Sequence, residues 1–432
     1  MAVLEDGQGV GKPTKAMQRL MGRLGPGLIT GASDDDPSGI GTYSQAGAQF
    51  GYSVGWTMLL TYPLMAGIQE ISARIGRTTG RGIAGNLSRY SPGPLLQFIV
   101  FSVFIANTIN IGADFSAMAD ASRLLFGGAS FLYVAAYTAL CIAGIVFLNY
   151  RRYVTVLKWL TLSLFAYVAA LLASNVDWAA AASGTLVPRL IWRSDYFTTL
   201  VAILGTTISP YLFFWQASQE AEEVHVDAQR RPLLKAPHQA PDAFIRIRGD
   251  TLVGMAFSNL IALAIIVSTA ATLHKAGITD IDSSTQAAEA LKPIAGTLAF
   301  ALFTLGIVGT GLLAVPVLAG SAAYAVGEAR KWPVGLDRKP KRAVPFYSVI
   351  AASAVLGAVI TLSPIDPIKA LYWSAVINGV VSVPVMIVMM VMTADRRVMG
   401  KFVITGGLRW LGWASTAAMT FCVGAMVAFW LI

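Results

Sequence analysis

Charge is scarce in this sequence. Asp, Glu, Lys and Arg make up 13% of 432 residues, while hydrophobic residues make up 55%; soluble globular domains carry about a quarter charged residues. That shortage excludes an ordinary soluble domain and points to a polytopic membrane protein, in which one bundle accounts for the whole length. Cysteine is almost absent. Cys141 and Cys422 both lie in apolar stretches, which argues against a disulfide framework or a Cys-rich metal cluster. The three histidines, His225, His238 and His274, fall in loops or at a helix end. The first ~23 residues lack the apolar core of a cleaved signal peptide and read as a cytosolic tail. No low-complexity stretch or separate soluble domain stands out.

What is present is a series of apolar runs. A bilayer core takes about 20 apolar residues per helix, and by that rule there are about eleven spans: 24–52, 53–76, 95–126, 130–149, 153–174, 195–223, 250–273, 296–327, 344–363, 366–394 and 410–432. Basic residues alternate between the loops. They cluster before span 1 and after spans 2, 4, 6, 8 and 10, as with Arg74, Arg77, Arg81 and Arg89 after span 2. Intervening loops hold far fewer. The positive-inside rule therefore places the N-terminus in the cytosol and the C-terminus outside. It also explains the net charge of +9 better than nucleic-acid binding does. Loop 225–245, with Pro232, Pro237 and Pro241, reads as flexible. Ser283–Leu291 reads as an amphipathic surface helix.

Span 1 carries Ser33-Asp34-Asp35-Asp36-Pro37-Ser38-Gly39-Ile40. A charge at mid-bilayer costs about 2.5–3.5 kcal/mol on insertion scales, so an intramembrane carboxylate marks a functional site by default. Pro37 removes a helix hydrogen bond and Gly39 loosens the next turn. Span 6 is also interrupted, at Leu204-Gly205-Thr206-Thr207-Ile208-Ser209-Pro210-Tyr211. Pro37 and Pro210 are 173 residues and five spans apart. An odd number of spans inverts the second unit, giving a 5+5 inverted repeat with discontinuous first and sixth helices. Unwound carbonyls and helix C-terminal ends then face the midplane and favour a cation. The expected organisation is one transporter domain over 1–432: tail 1–23, first repeat 24–174, second repeat 195–394 and an extra helix 410–432.

These residues resemble the natural resistance-associated macrophage protein family of divalent metal transporters. Its first helix carries Asp-Pro-Gly-Asn and its sixth Met-Pro-His, where this chain has Asp36-Pro37-Ser38-Gly39 and Ser209-Pro210-Tyr211. Ser72-Ala73-Arg74-Ile75-Gly76, Ala113-Asp114, Arg248-Gly249-Asp250-Thr251 and Asp395-Arg396-Arg397-Val398-Met399-Gly400 resemble other stretches of the family. The resemblance implies an all-α membrane fold of the leucine-transporter type with unwound helices 1 and 6. It implies Asp36 as direct or single-water ligand, the Ser33 and Thr206 carbonyls as backbone ligands, and Ser209 and the Thr206 hydroxyl binding through water. The departures bear on the substrate. A soft thioether is replaced by the hydroxyl of Ser209, and a coordinating amide by Gly39. Such a pocket, wider and lined by oxygen, suits partly hydrated Mg²⁺, which is hard and gives up water reluctantly. The pattern resembles the magnesium-transporting branch related to this family.

The family's proton-linked positions are also altered. Tyr211 stands where the family has histidine, and Asp114 is followed three residues later by Ala117 rather than Glu. Tyr, with an unperturbed pKa of about 10, shuttles protons poorly near neutral pH. The expected function is secondary import of Mg²⁺, with Mn²⁺ also a substrate, by alternating access without proton coupling. The chain is then not an enzyme, needs no cofactor, works as a monomer in the cell membrane, and has the divalent ion and the lipid bilayer as its partners. Three alternatives remain: proton-coupled Mn²⁺ or Fe²⁺ transport, a trivalent hard ion such as Al³⁺, and an intramembrane aspartyl hydrolase using Asp36 and Asp114, which would need both carboxyls on one water.

Other polar residues have two readings each. Asp34 and Asp35 draw cations toward the pocket or face a water-filled vestibule. Asp114 serves the ion path or a structural hydrogen bond. Ser38 and Tyr211 lie beside the site. Asn378 faces the bundle and is a candidate for the ion's water shell. Asn107 and Asn110 are expected to bond across helices. Glu70–Arg74 and Asp120–Arg123 are expected ion pairs. Gln216, Glu220, Glu222 and Glu223 line the inner exit or form a solvated acidic helix end.

Overall fold

The computed structural model describes residues 30–31, 33–147, 164–292 and 296–431. Among them there is no strand; the chain is a helical bundle. Residues 30, 31, 33 and 34 are helical, Asp35 and Asp36 are not, and α1 resumes as Pro37–Phe50. Then follow α2 (Trp56–Thr79), α3 (Ile83–Tyr90), α4 (Gly93–Phe126), α5 (Ser130–Phe147), α6 (Phe165–Ala173), α7 (Trp178–Leu186) and α8 (Ser194–Thr207). After the second break come α9 (Pro210–Val226), α10 (Ala240–Thr269), α11 (Ser284–Glu289) and α12 (Ala299–Ala329). The chain ends with α13 (Val344–Ile360), α14 (Pro367–Ala394), α15 (Arg396–Met399) and α16 (Gly406–Leu431).

Among the described residues, each span expected from the sequence falls on one of these helices or helix pairs, with 153–163 of span 5 outside them. Seven stretches are long and apolar enough on their own to cross a bilayer. The other four fall short for local reasons. Span 1 is cut by its break. Helix α2 carries Glu70, Arg74 and Arg77. Most of span 5 lies outside the described residues, leaving α6. Helix α13 has 17 residues, roughly 26 Å at 1.5 Å per residue.

Both breaks are built alike. Asp36, extended at ψ 171°, caps α1, with Pro37 at the first helical position. Ser209, extended at ψ 137°, precedes Pro210 at the first position of α9. Proline fits there because the missing N–H has no intrahelical acceptor in any case. Helices α1, α8 and α14 pack together around the breaks, and α4 runs past them against α12 and α14. The crossing of α8 and α14 is tight. A Cβ on Gly205 would lie 2.0 Å from the Ala375 carbonyl oxygen, and one on Gly379 2.7 Å from that of Val201. Glycine at both positions lets two backbones meet beside the second break.

Two sequence expectations change around loop 225–245 and the end of α9. Loop 225–245 is tied down: the Leu233 and Leu234 amides donate to the Arg77 and Thr78 carbonyls at 3.3 and 3.2 Å, and Arg77 donates to the Arg231 carbonyl and Gln239 at 2.5 and 2.8 Å. Glu220, Glu222 and Glu223 do not form a solvated acidic end, because each is bonded within the protein as described below. The Ser283–Leu291 segment does form a short helix, α11, with Ala287, Ala288 and Leu291 buried.

Candidate cation site between two broken helices

The site begins with two helices that each stop short. The first segment ends in the Ser33 and Asp34 carbonyls, and α8 ends in those of Gly205 and Thr206. Helix C-terminal ends carry partial negative charge and suit a cation. Asp36 sits where they converge, 1% exposed. Its Oδ1 accepts from Ser38 Oγ at 2.6 Å and from the Gly39 amide at 2.8 Å, the latter being the cap of α1. Its Oδ2 accepts from Asn110 Nδ2 at 2.9 Å, with the Tyr211 hydroxyl at 3.4 Å.

The other residues singled out in the sequence divide into those at the breaks and those beside them. Tyr211 donates to the Ser33 carbonyl at 3.0 Å and so joins the two breaks. Ser209 turns its hydroxyl back onto α8, toward the Gly205 and Thr206 carbonyls at 2.6 and 2.8 Å. Ser382 donates to the Ile208 carbonyl at 2.6 Å. Asn378 lies one turn before Ser382 on the same face of α14, fully buried, with neither side-chain polar atom hydrogen-bonded. Around Gly39 there is no spare volume. A Cβ there would lie 3.2 Å from Thr206 Oγ1, 3.3 Å from the Tyr43 ring and 3.4 Å from the Asp34 carbonyl oxygen. The wider pocket expected from the missing side chain is filled in this conformation.

Four carboxylates crowd this region. Asp34, Asp35 and Asp114 are 0–1% exposed, as is Asp36. Ser258 of α10 lies 2.5 Å from Asp34 Oδ2 and 3.1 Å from Asp35 Oδ1. One hydroxyl carries one proton and satisfies one carboxylate at a time. Asp34 Oδ1 and Asp35 Oδ2 have no hydrogen-bond partner. Both carboxylate oxygens of Asp114 are buried without a hydrogen-bond partner. Among the described residues, no Lys, Arg or His forms an ion pair with any of the four. Buried charge without a partner is strongly unfavourable, so the region calls for cations or protons. Among the described residues no cluster of three or more His, Cys, Asp or Glu side chains is arranged to hold a metal. One carboxylate with backbone carbonyls fits a passing ion better than a resident one.

Cavities flank the site on two sides. One of about 840 Å³ is lined by Arg81, Glu222, His225, Tyr324, Glu328 and Trp332. The other, of about 750 Å³, is lined by Gln45, Asp195, Asp280, Lys369, Tyr372 and Trp430 among others. None of the four aspartates lines either, so the site is closed off in this conformation. On the second side Gln45 holds the Thr279 carbonyl at 3.3 Å and the Ile281 amide at 2.9 Å, and Lys369 pairs with Asp282 at 2.7 Å.

A family model, natural resistance-associated macrophage protein-like, matches residues 27–429. The chain belongs to the Nramp family. A divalent metal cation transporter MntH from Klebsiella pneumoniae subsp. pneumoniae is 25% identical over 415 residues, covering 95% of this chain and 93% of that one. A manganese transporter of Eremococcus coleocola, solved with an aromatic bis-isothiourea substituted compound, superposes with a TM-score of 0.73 at 16% identity, covering 98% of this chain and 90% of that one. MhsT, solved with L-phenylalanine, superposes at 0.57 with 11% identity over 94% and 97% of the two chains. At those identities the structural matches establish the fold: an all-helical leucine-transporter-type bundle of about eleven spans with breaks in spans 1 and 6.

Within this Nramp chain, Asn110 is the site residue that sequence reasoning assigned no place beside Asp36. It was expected to bond across helices, which it does, but its acceptor is Asp36 itself. The signal available in the sequence was spacing: Asn107, Asn110 and Asp114 lie three and four residues apart and share one face of α4. Asn107 bonds elsewhere, to the Leu318 carbonyl of α12 at 2.9 Å. Gln216 also reaches the first segment, accepting from Thr30.

Proposed function

We infer that this protein is a secondary transporter for divalent cations, importing Mg²⁺ and also Mn²⁺ by alternating access without proton coupling. The ion binds partly hydrated between the two helix breaks. The observation that carries this reading is Asp36: a buried carboxylate between the two helix breaks, bonded to hydroxyl and amide groups, with no basic side chain paired to it among the described residues. Ser33, Thr206 and Ser209 supply oxygens at the breaks, and the Gly39 amide holds Asp36 Oδ1. The printed names of the Klebsiella and Eremococcus relatives, for divalent metal and for manganese, agree with a divalent substrate.

The donor set favours a hard ion. Neither break carries a thioether or imidazole, and oxygen ligands suit Mg²⁺. The carbonyls of Ser33 and Thr206 and both oxygens of Asp36 already receive protein hydrogen bonds. A hydrated ion can exchange its waters for those groups stepwise. Tyr211, whose hydroxyl is committed to a carbonyl, has no proton to pass on near neutral pH. The membrane potential drives import instead, at about 4–5 kcal/mol per 100 mV for a divalent ion.

The chain is read as one domain, with repeats 24–174 and 195–394, acting as a monomer in the cell membrane with the N-terminus in the cytosol. Proton-coupled Mn²⁺ or Fe²⁺ transport is the second reading, favoured by the carboxylates without basic partners. Flux into liposomes decides between them. Mg²⁺ uptake that competes with Mn²⁺, is abolished by Asp36→Ala and leaves an internal pH dye flat is the expected result. Absence of Mg²⁺ flux or competition removes the magnesium reading, and metal-dependent acidification removes the uncoupled one.

A further inference from the structure

We propose that Asn110 is a ligand-bearing switch at the cation site: its side-chain amide donates to Asp36 when the site is empty and turns over to present its oxygen when the ion arrives. This rests on the reading of Asp36 as the cation's carboxylate. The two oxygens of Asp36 are not equivalent. Oδ1 is held by the Gly39 amide and the Ser38 hydroxyl as the cap of α1. Giving up that cap would undo the start of the helix, so Oδ1 stays where it is. Oδ2 faces Asn110 Nδ2 at 2.9 Å, and it is the oxygen left for an ion.

An N–H donor and a divalent cation cannot share that oxygen on the same side, because both are positive toward it. Asn110 has a way out. Its oxygen and nitrogen occupy nearly the same volume, so a half-turn of the amide exchanges donor for acceptor without displacing neighbours. The structure leaves that acceptor unused. Asn110 is fully buried and its Oδ1 has no hydrogen-bond partner. A buried amide oxygen with no partner is an unmet acceptor, and the rotation would turn it toward the ion or its inner water. Asn107, one turn away, has its amide fixed on the Leu318 carbonyl and cannot take this part. The amide would therefore come from span 3, on a helix that belongs to neither break, and would couple α4 to occupancy of the site.

The test uses the full-length protein in liposomes with Mg²⁺ as the probe. Asn110→Leu, close in size but without either polar atom, is expected to raise KM for Mg²⁺ by about tenfold or more. Asn110→Asp keeps an oxygen and is expected to hold KM within about threefold of wild type. If Leu prevents folding, Asn110→Ala carries the same expectation without added bulk. A Leu or Ala variant with unchanged KM overturns the inference. So does an Asp variant impaired as much as the Leu or Ala variant, because that would make Asn110 a hydrogen-bond donor to Asp36 and nothing more. Wild-type protein that carries no Mg²⁺ would overturn the magnesium reading, Asp36→Ala that carries it normally would overturn the assignment of Asp36 as the ion's carboxylate, and either result removes this inference with it.

Discussion

Two sets of buried and half-buried carboxylates in this molecule are treated in opposite ways. At the end of the bundle where α9 meets α12, each glutamate has a partner. Glu220, fully buried, pairs with Arg246 at 2.5 Å. Glu223 pairs with Arg230. Glu222 accepts from the Tyr324 hydroxyl and from the Leu336 and Asp337 amides, the latter two at 3.2 and 2.8 Å. Glu328 accepts from the Gly82 and Gly85 amides at 3.1 and 2.9 Å and from Ser218 at 3.1 Å, tying α12 and α9 to the start of α3. At the centre, Asp34, Asp35 and Asp36 share hydroxyls, one amide side chain and a backbone amide, and Asp114 has no hydrogen-bond partner, with no paired cation for any of the four among the described residues. The difference separates structure from binding. Carboxylates that hold the bundle together bring their own partners, whereas those at the breaks leave the positive charge to come from outside.

Breaking an inner pair should therefore cost stability, and breaking the central cluster should cost binding. Arg246→Met strands Glu220 in the interior. Removing one partner of a buried pair costs about 3–5 kcal/mol, and thermal unfolding in detergent is expected to register a loss of that order. An unfolding midpoint equal to wild type would erase the contrast. A smaller effect of opposite kind is expected at the centre. Asp34→Asn removes one of two adjacent carboxylates while leaving an oxygen for Ser258. The empty protein should be as stable as wild type or more so by up to about 1 kcal/mol, while its Mg²⁺ affinity falls several-fold. A destabilised Asp34→Asn protein with unaltered affinity would place Asp34 with the structural set.

Much of the fold was legible because membrane spans leave coarse marks. Apolar length and alternating basic loops located eleven spans, including four that fail a strict test of length and apolarity. Both breaks were legible because Asp36-Pro37 and Ser209-Pro210 each interrupt an apolar span with a proline beside polar residues. Asn110 was not placed, because the spacing of Asn107, Asn110 and Asp114 marks one polar face on a helix of 34 residues but does not say that this face meets Asp36. The glutamates near the end of α9 were left between lining an exit and forming a solvated helix end because their partners are remote in sequence: Arg246 lies 26 residues from Glu220 and Tyr324 lies 102 from Glu222. Gly39 was read as vacant space, since a sequence shows a missing side chain but not the Tyr43 ring and Thr206 hydroxyl that fill its place.

The central claim is that a divalent cation binds at Asp36, between the breaks. Anomalous density from Mn²⁺-loaded protein measures this directly. The account predicts one peak beside Asp36 Oδ2, at ligand or single-water distance, that fades as Mg²⁺ is added in excess. A peak elsewhere, or one at Asp36 that Mg²⁺ does not displace, would contradict it.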